Sequence, residues 1–152
     1  MTRASKIPIA TGERLVGRPQ FRELFEKRAA HIIQPDLSHC GGLWEARKIA
    51  AMAETYSIAV APHNPNGPVA TVAALHFALA TPNWLIQESI TNDVPWRYDV
   101  IEPTLDVTDG YVAIPDKPGL GIDINEKEAA KYPFQEEAMQ RYFHPDGAVA
   151  DW

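Results

Sequence analysis

Four short apolar runs, each closed by one polar side chain at a nearly constant interval, constrain this chain more than any other feature. Residues 7–10 break at Thr11-Gly12-Glu13, residues 31–34 at Pro35-Asp36, residues 57–61 at Pro62-His63, and residues 84–87 at Glu88. The closing residues Glu13, Asp36, His63 and Glu88 stand 23, 27 and 25 residues apart, about one strand-loop-helix unit each. Between the runs the apolar spacing turns helical. Phe21, Leu24 and Phe25 share one face of a segment over 19–29, and Ile49, Met52 and Ala53 form a stripe in 43–56. Gly67 or Pro68 opens a third helix running to about residue 80, since proline is accommodated in a first helical turn. Strand, helix, strand, helix, strand, helix, strand is the pattern of a parallel sheet with helices packed outside it. Runs of four or five mostly apolar residues suit strands buried on both faces.

If the strands are parallel neighbours, all four polar side chains emerge at the same carboxyl-terminal edge. In α/β barrels and open α/β sheets that edge is where chemistry is built. Taken singly, each residue has a plain alternative. Glu13 and Glu88 read equally as surface carboxylates, Asp36 as a cap for the next element, and His63 as a structural histidine. Taken together they suggest a metal-assisted proton-transfer site. A carboxylate such as Glu13 suits a hard cation. An aspartate beside a histidine orients the imidazole and raises its basicity, so Asp36 and His63 make a general base for work near neutral pH. Glu88 could hydrogen-bond charge developing on a substrate. Four parallel strands leave two open edges, so the spacing is compatible with a small open α/β domain or with part of a larger sheet.

Beyond residue 90 the pattern changes. Residues 105–114 read as a hairpin about Asp109-Gly110. Asn125 caps a short helix to about Lys131, with Glu128 three residues on. The end is rich in aromatics and prolines and reads as a packing tail. The chain thus divides into 1–90 and 91–152.

Charge and composition narrow the class. The formal net charge of −6 argues against a nucleic-acid binder, which shows a basic stripe, and there is no polybasic patch for a membrane surface. The single Cys40 cannot form an internal disulfide and has no spaced partners for a zinc site, so it is expected to pack. No apolar stretch of signal-peptide length follows Met1. The longest apolar region, 69–80, is interrupted by Thr71 and His76 and is too short to span a bilayer. A cytoplasmic protein is expected.

The stretches "IPIATGERL", "IIQPDLSHCGG", "APHNPNGP" and "LIQES", with the tail stretches "TDGYVAIPDKPGLGIDIN" and "YFHPDGAVADW", resemble the carboxyl-terminal half of the barrel of the enolase superfamily, mandelate racemase and muconate lactonizing enzyme branch. Within that branch they are most like the acid-sugar dehydratases that act on galactonate. The resemblance implies an α/β fold that is half of a TIM-type barrel, strands five to eight over 1–90. The tail over 91–152 would pack on an amino-terminal capping domain. It implies that Glu13 is one of three Mg²⁺ ligands, the other two lying on earlier strands. It implies that Asp36 pairs with the base, that His63 is the general base, and that Glu88 hydrogen-bonds the intermediate. Sites of this superfamily combine a Lys or His base with Mg²⁺ that stabilises an ene-diolate, in agreement with that assignment. The implied reaction removes the proton α to a sugar-acid carboxylate and eliminates the β-hydroxyl, giving a 2-keto-3-deoxy acid. Asn64, Asn66 and Gly67 follow the base in one loop and either line the sugar-acid pocket or shape the turn; Asn64 and His39 are taken as the substrate contacts. His76 is expected to be a packing or surface residue, and Trp44, Trp84 and Trp96 to be core or interface aromatics. The partner is a small sugar acid, and the full-length form is expected to be a homo-oligomer. The chain reads as a carboxyl-terminal portion, inactive by itself. A racemase, a cycloisomerase or a non-catalytic α/β fragment are the alternatives.

Overall fold

The computed structural model describes residues 2–90, 93–136 and 142–150, so part of the expected tail over 91–152 lies outside the described residues. Three strands form a parallel sheet in the order β1 (Ala10–Thr11), β2 (Ile32–Ile33), β3 (Ala59–Val60). The register pairs Ala10 with Ile32 and Ile32 with Ala59, then Thr11 with Ile33 and Ile33 with Val60. Flanking backbone bonds extend the ladder. His31 N–H donates to the Ile9 carbonyl at 2.9 Å, Gln34 to Thr11 at 2.9 Å, and Ala61 to Ile33 at 2.9 Å.

The expected fourth strand over 84–87 is reduced to a single parallel bridge between Val60 and Trp84. Leu85 N–H still donates to the Val60 carbonyl at 2.8 Å. Among the described residues no strand pairs with the far side of this segment, and Leu85 and Ile86 are 52% and 62% exposed. The other edge is open too, with Ala10 exposed on β1. Burial on both faces therefore holds only in the middle of the sheet, at Ile33 and Val60, both 0% exposed. An edge strand has a neighbour on one side only.

Helices α1 (Gly17–Glu26), α2 (Gly42–Thr55) and α3 (Pro68–Leu79) connect the strands. α1 buries Phe21, Leu24 and Phe25, and its solvent side carries the Arg22–Glu26 and Glu23–Lys27 pairs. The Phe25 ring stacks on Tyr56 at 5.7 Å. α2 buries Ile49 together with Ala46, Ala50 and Ala53, whose small side chains let it lie close to the sheet. α3 is mostly apolar, interrupted by Thr71 and His76, and buries Thr71, Val72, Ala74, Leu75 and Phe77. Its Ala74 and Phe77 join the core under the sheet, and its Val72 and Leu75 pack against Ile101 and Leu105 from the tail. The tail segment therefore lies on α3. It adds an antiparallel pair β4 (Ile101–Glu102) with β7 (Asp123–Ile124), and the pair β5 (Val107–Thr108) with β6 (Tyr111–Val112). Asp109 and Gly110 join β5 to β6, both with positive φ, the conformation a tight hairpin turn needs. α4 (Glu126–Ala129) follows, with the Asn125 side chain accepting from Glu128 N–H at 3.1 Å. A last antiparallel pair joins β8 (Tyr142–Phe143) to β9 (Val149–Ala150).

Cys40 is fully buried, and burial pushes its thiol up to about 11. His76 bonds the Leu120 carbonyl at 3.0 Å, tying α3 to the tail. Of the tryptophans expected to pack, Trp96 stacks on Tyr132 at 4.1 Å. Trp44 is 74% exposed, with Lys48 Nζ lying 5.1 Å over its ring. Among the described residues no helix is long and apolar enough to cross a membrane.

Candidate active site at the strand exits

The parallel register brings three of the strand exits to one edge of the sheet. Glu13 lies two residues beyond β1, Asp36 three beyond β2 and His63 three beyond β3. They line an open cleft of about 970 Å³ together with Thr11, Arg14, Gln34, His39 and Asn66. The His63 Nδ1 atom lies 3.0 Å from Asp36 Oδ2. Asp36 is the buried member, its side chain 8% exposed against 28% for His63.

A buried carboxylate is tolerated only when its oxygens are satisfied. Ser38 N–H donates to Oδ1 at 2.8 Å, and Asn66 Nδ2 donates to Oδ2 at 3.0 Å beside the histidine. These bonds hold the carboxylate plane. With Asp36 accepting at Nδ1, the proton of a neutral His63 sits on Nδ1. Nε2 is then the ring atom able to take a proton, which is the geometry a general base needs.

Glu88 is brought next to this pair by a backbone bond. Its Oε2 accepts from Asn64 N–H at 2.8 Å, and its side chain is exposed and does not line the cleft. Asn64 turns inward. It is 2% exposed, and its Nδ2 donates to the Thr71 hydroxyl at 2.9 Å and to the Glu88 carbonyl at 3.3 Å. The amide that faces the cleft is Asn66, where the sequence pointed to Asn64, because Asn64 is drawn under the loop by Thr71 on α3. His39 lies on the cleft wall, and it is exposed.

Glu13 accepts from Gly12 N–H at 3.1 Å, a bond that folds its carboxylate back over the turn after β1. It offers one hard oxygen ligand. Among the described residues no three His, Cys, Asp or Glu side chains converge on a common point. A carboxylate such as Glu13 can supply one of the several oxygen ligands that a hard divalent cation takes.

Arg97 is the residue that sequence reading missed. It sits in the irregular stretch after residue 90, without periodicity to mark it. The structure buries it to 8% exposure, forks it onto Asp93, and sets Nη1 2.7 Å from the Asn66 carbonyl.

Residues 1–128 match the family described as "Enolase C-terminal domain-like". The chain is 40% identical to the D-galactonate dehydratases of Pectobacterium atrosepticum and Ralstonia pickettii, over 96% of its own length and 40% of theirs. Among solved structures it is similar to a mandelate racemase/muconate lactonizing enzyme-like protein from Roseovarius, with a TM-score of 0.82 and 43% identity, over 88% of this chain and 33% of that one. A mandelate racemase/muconate lactonizing enzyme from Sulfitobacter matches with a TM-score of 0.83 and 42% identity, over 90% and 34%. The chain spans about two fifths of the length of the curated relatives it matches.

Proposed function

The chain belongs to the enolase C-terminal domain-like family, and from that premise we propose that it carries the base side of a galactonate dehydratase-like acid-sugar dehydratase. The α/β fold is that of part of a TIM-type barrel, and we assign its four sheet positions to barrel strands five to eight. The observation that carries the reading is the 3.0 Å pairing of His63 Nδ1 with Asp36 at adjacent parallel strand exits.

In this reading His63 Nε2 takes the proton from the carbon α to the substrate carboxylate. The electron pair of that C–H bond enters an enediolate, and Asp36 balances the imidazolium formed. The β C–O bond then breaks, the hydroxyl leaving as water with a proton from a general acid outside this chain's cleft. Tautomerisation of the resulting enol gives the 2-keto-3-deoxy acid. Glu88, exposed and held through Oε2 by the Asn64 N–H, has its other oxygen left for an intermediate that extends past the cleft lining, and His39 and Asn66 face the sugar hydroxyls. Glu13 would be one ligand of a Mg²⁺ ion, which when bound supplies positive charge for the substrate carboxylate. The remaining ligands, and a capping domain over the cleft, would come from the part of the relatives' length that this chain does not span. By itself the chain is then inactive. Racemisation or cycloisomerisation uses the same proton abstraction, and the names of the solved neighbours fit it.

The test is Mg²⁺-dependent release of 2-keto-3-deoxy acid from a panel of sugar acids, by the chain alone and mixed with an amino-terminal half from a homologue. Activity in the mixture that disappears with His63→Ala supports the dehydratase. Racemised substrate without keto acid moves the assignment to the alternative. Silence from well-folded samples in both arms leaves a non-catalytic fragment.

A further inference from the structure

Asn66 is gripped at both ends. Its side-chain Nδ2 donates to Asp36 Oδ2, the same oxygen that pairs with His63, and its backbone carbonyl accepts from Arg97 Nη1 at 2.7 Å. Arg97 in turn is fixed by Asp93, which receives both Nε and Nη2. A buried guanidinium is stable only with its donors engaged in good geometry. Here one arm of the fork is spent on the loop that follows the candidate base. Arg97 Nη1 touches neither the cleft nor the reacting pair, so its effect on them runs through Asn66. Asp36 meets three donors, from Ser38, His63 and Asn66, and two of the three set the plane in which the third must lie.

We propose that Asn66 and Arg97 form a strut, running from the tail to the sheet edge, that positions the Asp36 carboxylate against His63. Asn66 is the arm of the strut and Arg97 its anchor; both are positioning residues. This rests on the reading of His63 as the base. The strut makes the tail part of the site, because the segment carrying Asp93 and Arg97 lies some thirty residues beyond the histidine it serves.

The experiment reads the His63 ring by ¹⁵N NMR in the full chain, above the pH at which the imidazole is neutral. The wild type should show the proton on Nδ1. Asn66→Ala should lower the ratio of Nδ1-protonated to Nε2-protonated ring about fivefold, the factor carried by one hydrogen bond of ordinary net strength. Arg97→Met, which leaves Asn66 untouched, should move the ratio the same way. The double variant should show no more than the larger single effect, since both act along one path. His76, which bonds the Leu120 carbonyl and not the loop after the base, is the internal reference for an intact fold. A His63 ratio unchanged in Asn66→Ala, with His76 signals intact, overturns the proposal, as does a double variant equal to the sum. Should Arg97→Met fail to fold, Arg97→Lys replaces it. Lysine keeps a cation near Asp93 but cannot span both partners with a fork, so an intermediate ratio is expected and a wild-type ratio refutes the anchor. No substrate is needed. Absence of turnover in the mixture with the amino-terminal half, alongside an intact NMR response, would sink the dehydratase reading and leave the strut standing.

Discussion

Gly12 ends β1 and starts the turn that presents Glu13, and its backbone can be used to measure how tightly the sheet edge is built. It is buried with φ at +122°. A Cβ there would lie 3.0 Å from Cε1 of Phe21 and 3.5 Å from the Gln34 backbone nitrogen. Gly12→Ala therefore carries two costs. A non-glycine residue in a sparsely populated positive-φ region costs about 1–3 kcal/mol. The close approach adds about 1 kcal/mol or more of overpacking. Phe21 cannot swing away, being 0% exposed and packed at 6.1 Å on Phe25. The expected loss is about 2–4 kcal/mol, which moves a urea midpoint down by about 1–2 M at an ordinary m-value. Urea unfolding followed by tryptophan fluorescence and by circular dichroism would measure it. Gly67→Ala is the control. Gly67 has φ of −69° and nothing within 4 Å of a Cβ position, so it should stay within about 1 kcal/mol of wild type. Adding Phe21→Leu to Gly12→Ala should cost about 1 kcal/mol less than the two single changes summed, because the clash is relieved while the φ strain remains. A wild-type midpoint for Gly12→Ala, or strict additivity in the double variant, would refute the argument.

Two further expectations follow from the ionisable groups. Cys40 should resist a maleimide at pH 7.5 in the native chain and react fully in denaturant. Its burial holds the thiol up at about 11, so the stability it contributes is complete below the unfolded thiol's range near 8.5 and is lost as pH rises toward 11. Rapid native labelling would show that the core around Cys40 is open. Asp93 is held down at about 2, first by its hydrogen bonds from Arg97. Its contribution is therefore whole above about pH 4 and is lost as pH falls toward 2. An acid titration followed by the Arg97 side-chain NMR signals should show the tether releasing in that window, and Asp93→Asn should remove the transition. A tether that releases near pH 6 would contradict the pairing.

The alternation of strands and helices was legible in the chain because it is written in local periodicity. Phe21, Leu24 and Phe25 mark a helix face without reference to anything distant. The placement of Glu13, Asp36 and His63 at one sheet edge was legible for the same reason, since equal spacing in a parallel sheet returns each exit to the same side. Two-residue ladders and the lone bridge at Trp84 were not legible. Leu85 and Ile86 read as a buried strand, and only the absence of a paired neighbour among the described residues leaves them exposed.

Inside the site the division is sharper. Residue type and order singled out Asp36 and His63, but Asn64 and Asn66, two residues apart in one loop, could not be told apart by sequence. Thr71 on α3 draws the first inward, and Asp36 with Arg97 holds the second at the cleft. Sequence by itself determined which residues arrive at the edge, because strand periodicity and spacing are local properties of the chain. Only the tertiary structure decided which way each one turns. That choice depends on donors and acceptors 7 to 31 residues away, brought within 3 Å of one another by the burial of α3 between the sheet and the tail.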